Sequence, residues 1–345
     1  MSSTGPGLNK TGLAPRWLDE LGDAVLAGRP VQRDQAVRLI SVSGPARHDV
    51  IAWGGRIRRA FKGDRVHVCS IVNARCGRCS EDCSFCSQSV SHNTGIETFD
   101  LLAAGVMVER AREAARAGAR CFGIVTSGRG PTERELPVIL DVVRAIRNEG
   151  LSVCASLGVL SEEAARQLHQ AGVRRYNHNL ETSRNHFPNV CTTHAFDDRV
   201  RTVEAVRSAG LEACCGGILG LGETPIDRVD MALELARLGV ESVPVNVLMP
   251  IPGTRSEALV PPRPLEVLHT LAVFRMIMPR ADIKLAGGRE SALRELQSWM
   301  FAAGANGFIL GNYLTTRGRS AEDDLAMIED LELDAGAPAS PCPTD

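Results

Sequence analysis

The sequence predicts an α/β chain folded as a (β/α)8 TIM-type barrel with an N-terminal helical extension. Three observations carry that expectation. From Arg65 onward, short apolar runs rich in β-branched residues alternate with helical patterns, as in βαβ units on a parallel sheet. The alternation runs to eight strands and eight helices. Gly118, Gly150, Gly172, Gly210 and Gly239 each follow a helical pattern, where a left-handed C-cap favours glycine. The 345 residues suffice for a barrel of about 250 residues plus extensions. An open doubly wound sheet is the rival fold, and it rarely uses eight regular units in succession.

In order, the strands are read near Val66–Val72, Cys121–Thr126, Leu151–Ser156, Val173–Asn179, Leu211–Leu219, Ser242–Leu248, Asp282–Ala286 and Gly307–Leu310. Between them lie helical patterns at Val106–Ala117, Glu135–Asn148, Glu162–Ala171, Asp197–Ala209, Ile226–Leu238, Pro264–Met278 and Ser291–Ala303, with Ala321–Asp330 as the last. The first 60 residues read as an accessory extension, with amphipathic helices over Trp17–Ala27 and Gln32–Ile40. Residues 61–333 form the barrel. The Pro/Ala-rich stretch from Asp334 to Asp345 reads as a disordered tail.

Composition excludes several classes. Hydrophobic residues make up 44% and charged residues 23%, close to a soluble globular average. Net charge is −2, so no basic excess exists to neutralise a nucleic-acid backbone. There is no secretory signal and no apolar run of about 18 residues, so neither export nor a membrane span is expected. The expected location is cytoplasmic. Eleven cysteines in a reducing compartment then point to packing or metal binding and away from disulfides.

Chemistry in such barrels sits at the C-terminal ends of the strands. The first strand runs into NARCGRCSEDCSFCSQS, in which Cys79, Cys83 and Cys86 form C-x3-C-x2-C. Three such thiolates can hold three corners of a cubane 4Fe-4S cluster and leave one iron open to a small molecule. Two other readings use Cys76 as a fourth thiolate. A structural zinc site is one, although four ligands in so short a segment crowd a tetrahedral ion. A closed ferredoxin-like cluster is the other, although its spacing differs from the bacterial run.

The motif after the first strand, with Phe85 before the last cysteine, resembles the radical S-adenosylmethionine (SAM) superfamily. The segments YNHNLETS, CGGILGLGET, VPVNVLMPIPGT and LAGGRE narrow the resemblance to the biotin synthase family, in the family's order and over roughly Val66 to Leu314. The resemblance implies sulfur insertion into dethiobiotin. C–H bonds of that kind offer no acidity to a side-chain base, so a cofactor radical is required. It implies that Cys79, Cys83 and Cys86 hold the 4Fe-4S cluster that binds SAM. It implies that Cys121, Cys154 and Cys214 hold an auxiliary iron–sulfur cluster that donates the sulfur. Asn177, Asn179 and Asn246 match asparagines that bind the ureido ring. Glu181 stands where the family often has aspartate near the SAM ribose. Arg199 matches an arginine near the SAM carboxylate, and Gly216 and Gly217 open a stretch beside SAM. An electron donor such as flavodoxin or ferredoxin and a homodimer also follow from the family.

Two positions depart from it. Lys284 occupies the place of the arginine that usually completes the auxiliary cluster, and an ammonium cannot ligate iron without losing its proton. Cys191, in NVCTTHAF, stands where an aliphatic residue is usual. The expectation is that Cys191 supplies the fourth auxiliary thiolate, to a 2Fe-2S cluster or a larger four-iron one. The alternative is a buried apolar filler. Cys215, Cys69 and Cys342 read as structural or incidental, and Cys76 stays open. Two rival functions also stay open. One is a different radical SAM reaction on another small molecule. The other is a non-catalytic iron–sulfur or zinc-binding module.

Overall fold

A computed structural model describes residues 16–336; the remainder of the expected tail, with Cys342, lies outside the described residues. Nine parallel strand segments form the sheet: β1 (His67–Arg75), β2 (Cys121–Thr126), β3 (Ser152–Ser156), β4 (Val173–Asn177), β5 (Glu212–Cys214), β6 (Gly217–Leu219), β7 (Ser242–Val247), β8 (Asp282–Leu285) and β9 (Gly307–Ile309). Their order is β5-β4-β3-β2-β1-β9-β8-β7-β6, and β7 also pairs with β5, which closes the barrel. The fifth expected strand is therefore two pieces, β5 and β6, with Cys215 and Gly216 between them. The break has a steric cause. A Cβ on Gly216 would lie 1.9 Å from the Pro244 carbonyl oxygen, so the chain passes β7 too closely to stay in register.

Alternation along the strands sorts residues into two layers. Phe122, Ile124, Val153, Ala155, Val243, Ile283 and Phe308 are buried in the apolar core. Around the barrel, helix Glu135–Asn148 buries Ile139, Val142, Val143 and Ile146, an i, i+3, i+4, i+7 stripe. Helix Glu162–Ala171 starts at Ser161, whose hydroxyl accepts from Ala164 N at 3.2 Å, and stops at left-handed Gly172. All five expected cap glycines have positive φ.

The N-terminal segment is part of the core. Helices Arg16–Leu26, Arg33–Ile40 and Arg47–Lys62 join the same continuous hydrophobic cluster as the barrel. The third of these was not legible, because Gly54 and Gly55 weaken its helical pattern. They are there for proximity. A Cβ on Gly54 would sit 2.5 Å from Ala303 O and 2.9 Å from Ala272 Cα. The helix thereby covers Pro264–Ile277, whose residues from Val267 to Ile277 are all buried. The helix expected over Ser291–Ala303 is instead three short pieces, Arg289–Leu293, Arg294–Leu296 and Trp299–Ala302. Arg294 at φ +52 breaks it, while the buried Arg289 guanidinium is anchored on Asp324 at 2.7 and 3.0 Å.

The barrel floor is ionic. Asp282 on β8 accepts from Arg175 on β4 at 2.9 Å and lies 2.7 Å from Lys62 and 3.2 Å from His67. Burial alone would raise its pKa; the His67 bond and the charges of Arg175 and Lys62 more than reverse that, and hold it far below the usual carboxylate range. A carboxylate depressed in the folded state stabilises the fold above its unfolded pKa of about 3.9, and that contribution is lost as pH falls toward the folded value. Asp282→Asn should cost about 3–5 kcal/mol, because it strands buried cations. Urea unfolding of the variant checks this, and a loss under about 1 kcal/mol would contradict it.

Candidate active site and cysteine clusters

The loop after β1 carries Cys79, Cys83 and Cys86 to the mouth of the barrel. Backbone bonds set its shape: Cys79 N donates to Gln88 O, Cys86 N to Cys83 O, and Ser84 N to Val190 O. The three cysteines line one cavity of about 200 Å³. Cys76 instead pairs by backbone with Phe99 and is not among the lining residues. A second cavity of about 370 Å³ shares Phe85, Cys86, Asn177, Asn179 and Glu181 with the first, and adds Asn246.

The three asparagines are not equivalent. Asn179 Oδ1 accepts from Gly216 N at 3.2 Å, and Asn246 Oδ1 accepts from Gly287 N at 2.9 Å. Both thus hold backbone at the cavity wall. Asn177 Oδ1 is buried with no partner among the described residues, as are Thr126 Oγ1 and His178 Nε2, and all three residues line the first cavity. Unpartnered buried polar atoms facing a cavity call for a polar ligand. Together with three converging thiols, they fit a thiolate-held cluster, SAM and a hydrogen-bonding substrate.

Arg199 is buried, which excludes a surface ion pair. Its guanidinium donates to Asn179 O at 2.8 Å and His194 Nε2 at 3.0 Å, and lies 3.6 Å from Cys83 Sγ and 3.5 Å from Glu181. Burial raises the Glu181 pKa, against the opposing charge of Arg199. Glu181 sits at φ +68 and forms a bridge with Gly217, so its carboxylate is aimed by the backbone. Gly216 and Gly217 pack closely against protein. A Cβ on Gly217 would lie 2.4 Å from Met231 Sδ and 2.5 Å from Glu181 O. They are needed for close chain packing and do not line either cavity.

Cys191, expected as the fourth auxiliary thiolate, sits in the connection after β4. Cys191 lies beside Cys83 and His194, the three ligand atoms falling within 4.8 Å of one another, and its Sγ is 3.1 Å from Asp82 Oδ1. It follows the short helix Phe187–Val190, which straps the cysteine loop through Ser84 and Thr192. That strap holds it at the mouth, away from the interior thiols. Contact with Cys83, then His194, holds the Cys191 pKa down to about 4 against burial. Sequence reasoning also missed Glu81 and His194. His194 Nδ1 is 2.5 Å from Glu81 Oε2, so the ring is held on both nitrogens.

Deeper in the barrel, Cys121 Sγ lies 2.8 Å from Cys154 Sγ. Cys214 joins them from β5, in register with Asn177 on β4. Lys284, fully enclosed, donates from Nζ to Cys69 Sγ at 3.2 Å. Burial works against its ammonium, but the sulfurs of Cys69 and Cys214 outweigh that and hold its pKa above the ordinary lysine value. Cys69 therefore belongs to this group and is not incidental. Its signal was register: Cys69 pairs directly with Cys121, so both side chains enter the barrel at one height. Cys215 faces the apolar core, as alternation predicts.

Comparison with known proteins agrees. Residues 75–236 match the radical SAM superfamily, and residues 244–334 match the biotin and thiamin synthesis associated domain. The biotin synthase of Geotalea daltonii is 48% identical over 318 residues, covering 92% of this chain and 97% of that protein. The biotin synthase of Pelotomaculum thermopropionicum is 47% identical over 316 residues, covering 91% and 98%. Among solved structures, methylornithine synthase superposes with a TM-score of 0.81 at 18% identity, covering 92% and 98%. The FeFe-hydrogenase maturase of Carboxydothermus hydrogenoformans gives 0.77 at 16%, covering 92% and 78%. The last two speak for the fold alone. With near-half identity along almost its whole length, and with the cysteine loop seated at the mouth of a closed barrel, the chain belongs to the biotin synthase family of the radical SAM superfamily.

Proposed function

We propose that this chain forms biotin from dethiobiotin by sulfur insertion, with the cofactors and residues assigned as follows. The observation that carries the reading is the stacking of two thiol groups in one barrel, one at the mouth and one inside, with polar cavity residues at the mouth. Cys79, Cys83 and Cys86 hold the 4Fe-4S cluster that binds SAM; Cys121, Cys154 and Cys214 hold the auxiliary iron–sulfur cluster. When bound, these groups supply a 5′-deoxyadenosyl radical and the inserted sulfide.

The chain's own residues position and enclose. Arg199, with four polar neighbours, presents fixed positive charge beside the cysteine loop and toward the SAM carboxylate. Glu181 accepts from ribose hydroxyls. Asn177 offers its free amide oxygen to a ureido N–H, because an amide both donates and accepts as a cyclic urea requires. Asn179 and Asn246, fixed on backbone, shape the wall around it and present their remaining polar valences. The partners are dethiobiotin, a small electron-transfer protein such as flavodoxin or ferredoxin, and a second copy of the chain in a homodimer. The location is cytoplasmic. Among the described residues no helix is long and apolar enough to cross a membrane.

Anaerobically reconstituted protein, given SAM, dethiobiotin and a reductant, tests the reading. Biotin and 5′-deoxyadenosine should both appear. Asn177→Ala should raise the KM for dethiobiotin by roughly tenfold to a hundredfold, the cost of about 1–3 kcal/mol for an unmade buried hydrogen bond. Release of 5′-deoxyadenosine without biotin would sink the substrate assignment.

A further inference from the structure

We infer that Cys69 is the fourth thiolate of the auxiliary cluster, and that Lys284 serves it as a hydrogen-bond donor and not as a ligand. The inference rests on the reading that Cys121, Cys154 and Cys214 hold that cluster.

Register comes first. β1 and β2 are parallel and pair Cys69 with Cys121, so the two side chains leave the sheet on the same face at the same level. On β3, Cys154 is in register with Gly123, which carries no side chain, so the space in front of Cys154 stays open toward Cys121. Sulfur meets sulfur there at 2.8 Å. The thiols of Cys69, Cys121 and Cys154 thus come from three neighbouring strands, β1, β2 and β3, and Cys214 adds a fourth from β5. Interior layers of such barrels are ordinarily filled by branched aliphatic side chains. A layer of thiols packs poorly by comparison, and soft sulfur donors select iron–sulfur clusters.

Charge comes second. Lys284 is buried and its ammonium reaches a thiol at 3.2 Å. Among the described residues no carboxylate lies within ion-pair distance of it, whereas the neighbouring Arg175 is paired with both Glu212 and Asp282. A buried ammonium without an anion is strongly unfavourable. The anion that fits is the thiolate-rich centre itself, since a fourth thiolate adds one negative charge and Lys284 supplies one positive charge. Ligation by Lys284 would discard that charge and demand a free amine. Hydrogen bonds to cluster sulfurs also tune their potentials, which gives the lysine a function where it stands. Cys191 is instead placed beside Cys83, Asp82 and His194.

Mössbauer spectra and iron and sulfide analysis of anaerobic 57Fe holoprotein decide the matter. Cys69→Ala should lose most of the auxiliary iron, at least severalfold, or show a new auxiliary doublet. The reduced SAM-cluster signal persists and serves as the folding control. If Cys69→Ala loses both clusters, Cys69→Ser, nearly isosteric, decides by the same readout: an altered auxiliary doublet supports the assignment and an unchanged one overturns it. Lys284→Met should keep its auxiliary iron and shift the auxiliary midpoint potential to a more negative value. An unchanged auxiliary spectrum in Cys69→Ala, or loss of auxiliary iron in Lys284→Met, overturns the inference. Wild-type protein with SAM-cluster iron alone would instead remove the reading beneath it.

Discussion

Cys83→Ala combined with Cys191→Ala should lower release of 5′-deoxyadenosine by reduced protein about a thousandfold or more, which corresponds to about 4 kcal/mol. Cys83 is the central thiol of its motif and is buried beneath Arg199, so no outside ligand reaches its place. Two remaining thiolates cannot hold three corners of a cubane. One neighbour is positioned to substitute. Cys191 lies with Cys83 and His194 inside a 4.8 Å group, so Cys83→Ala alone should keep a partly rescued cluster. The double variant with Cys191→Ala removes that route. Chromatography of 5′-deoxyadenosine, with the low-temperature signal of the reduced cluster, measures both. A Cys83→Ala/Cys191→Ala protein that still cleaves SAM at the wild-type rate would end the assignment of the mouth thiols.

The second large effect separates the two clusters. Cys154→Ala should depress biotin formation about a thousandfold, again about 4 kcal/mol, while SAM cleavage stays within about one order of magnitude. The reason is spatial. Cys154 belongs to the interior group with Cys121, and it is not among the residues lining the mouth cavity. Its loss removes sulfur supply without touching the groups that bind SAM. Measuring biotin and 5′-deoxyadenosine in the same reaction gives the ratio. Equal losses of both products would mean that the interior thiols serve folding or the mouth cluster, and that the sulfur comes from elsewhere.

Much of the mouth was legible because local spacing encodes it. C-x3-C-x2-C needs only a loop to bring its thiols together, and the loop after β1 does so. Asn177 was legible by alternation on a strand. The surroundings of Cys191 were not legible for the opposite reason: it lies in a connection, and a connection's destination depends on what it packs against. Here Asp82 receives Thr192 N at 2.8 Å and ties Cys191 to the cysteine loop. Cys69 was passed over because nothing within β1 distinguishes it from any other small buried residue. Its meaning lies in the partner strand.

Periodicity, glycine caps and cysteine spacing together specified the eightfold βα rhythm, the strand positions and the mouth motif, since each is a local property of the chain. Three matters were left to the packed barrel. Close passage of Gly216 beneath Pro244 split the fifth strand. Gly54 against Ala303 drew the N-terminal helices into the core. Pairing of β1 with β2, and of β8 with both its neighbours, set Cys69 and Lys284 among the interior thiols. Contacts between residues far apart in sequence depend on strand register and helix approach, and those are settled only when distant surfaces are pressed together and water is excluded.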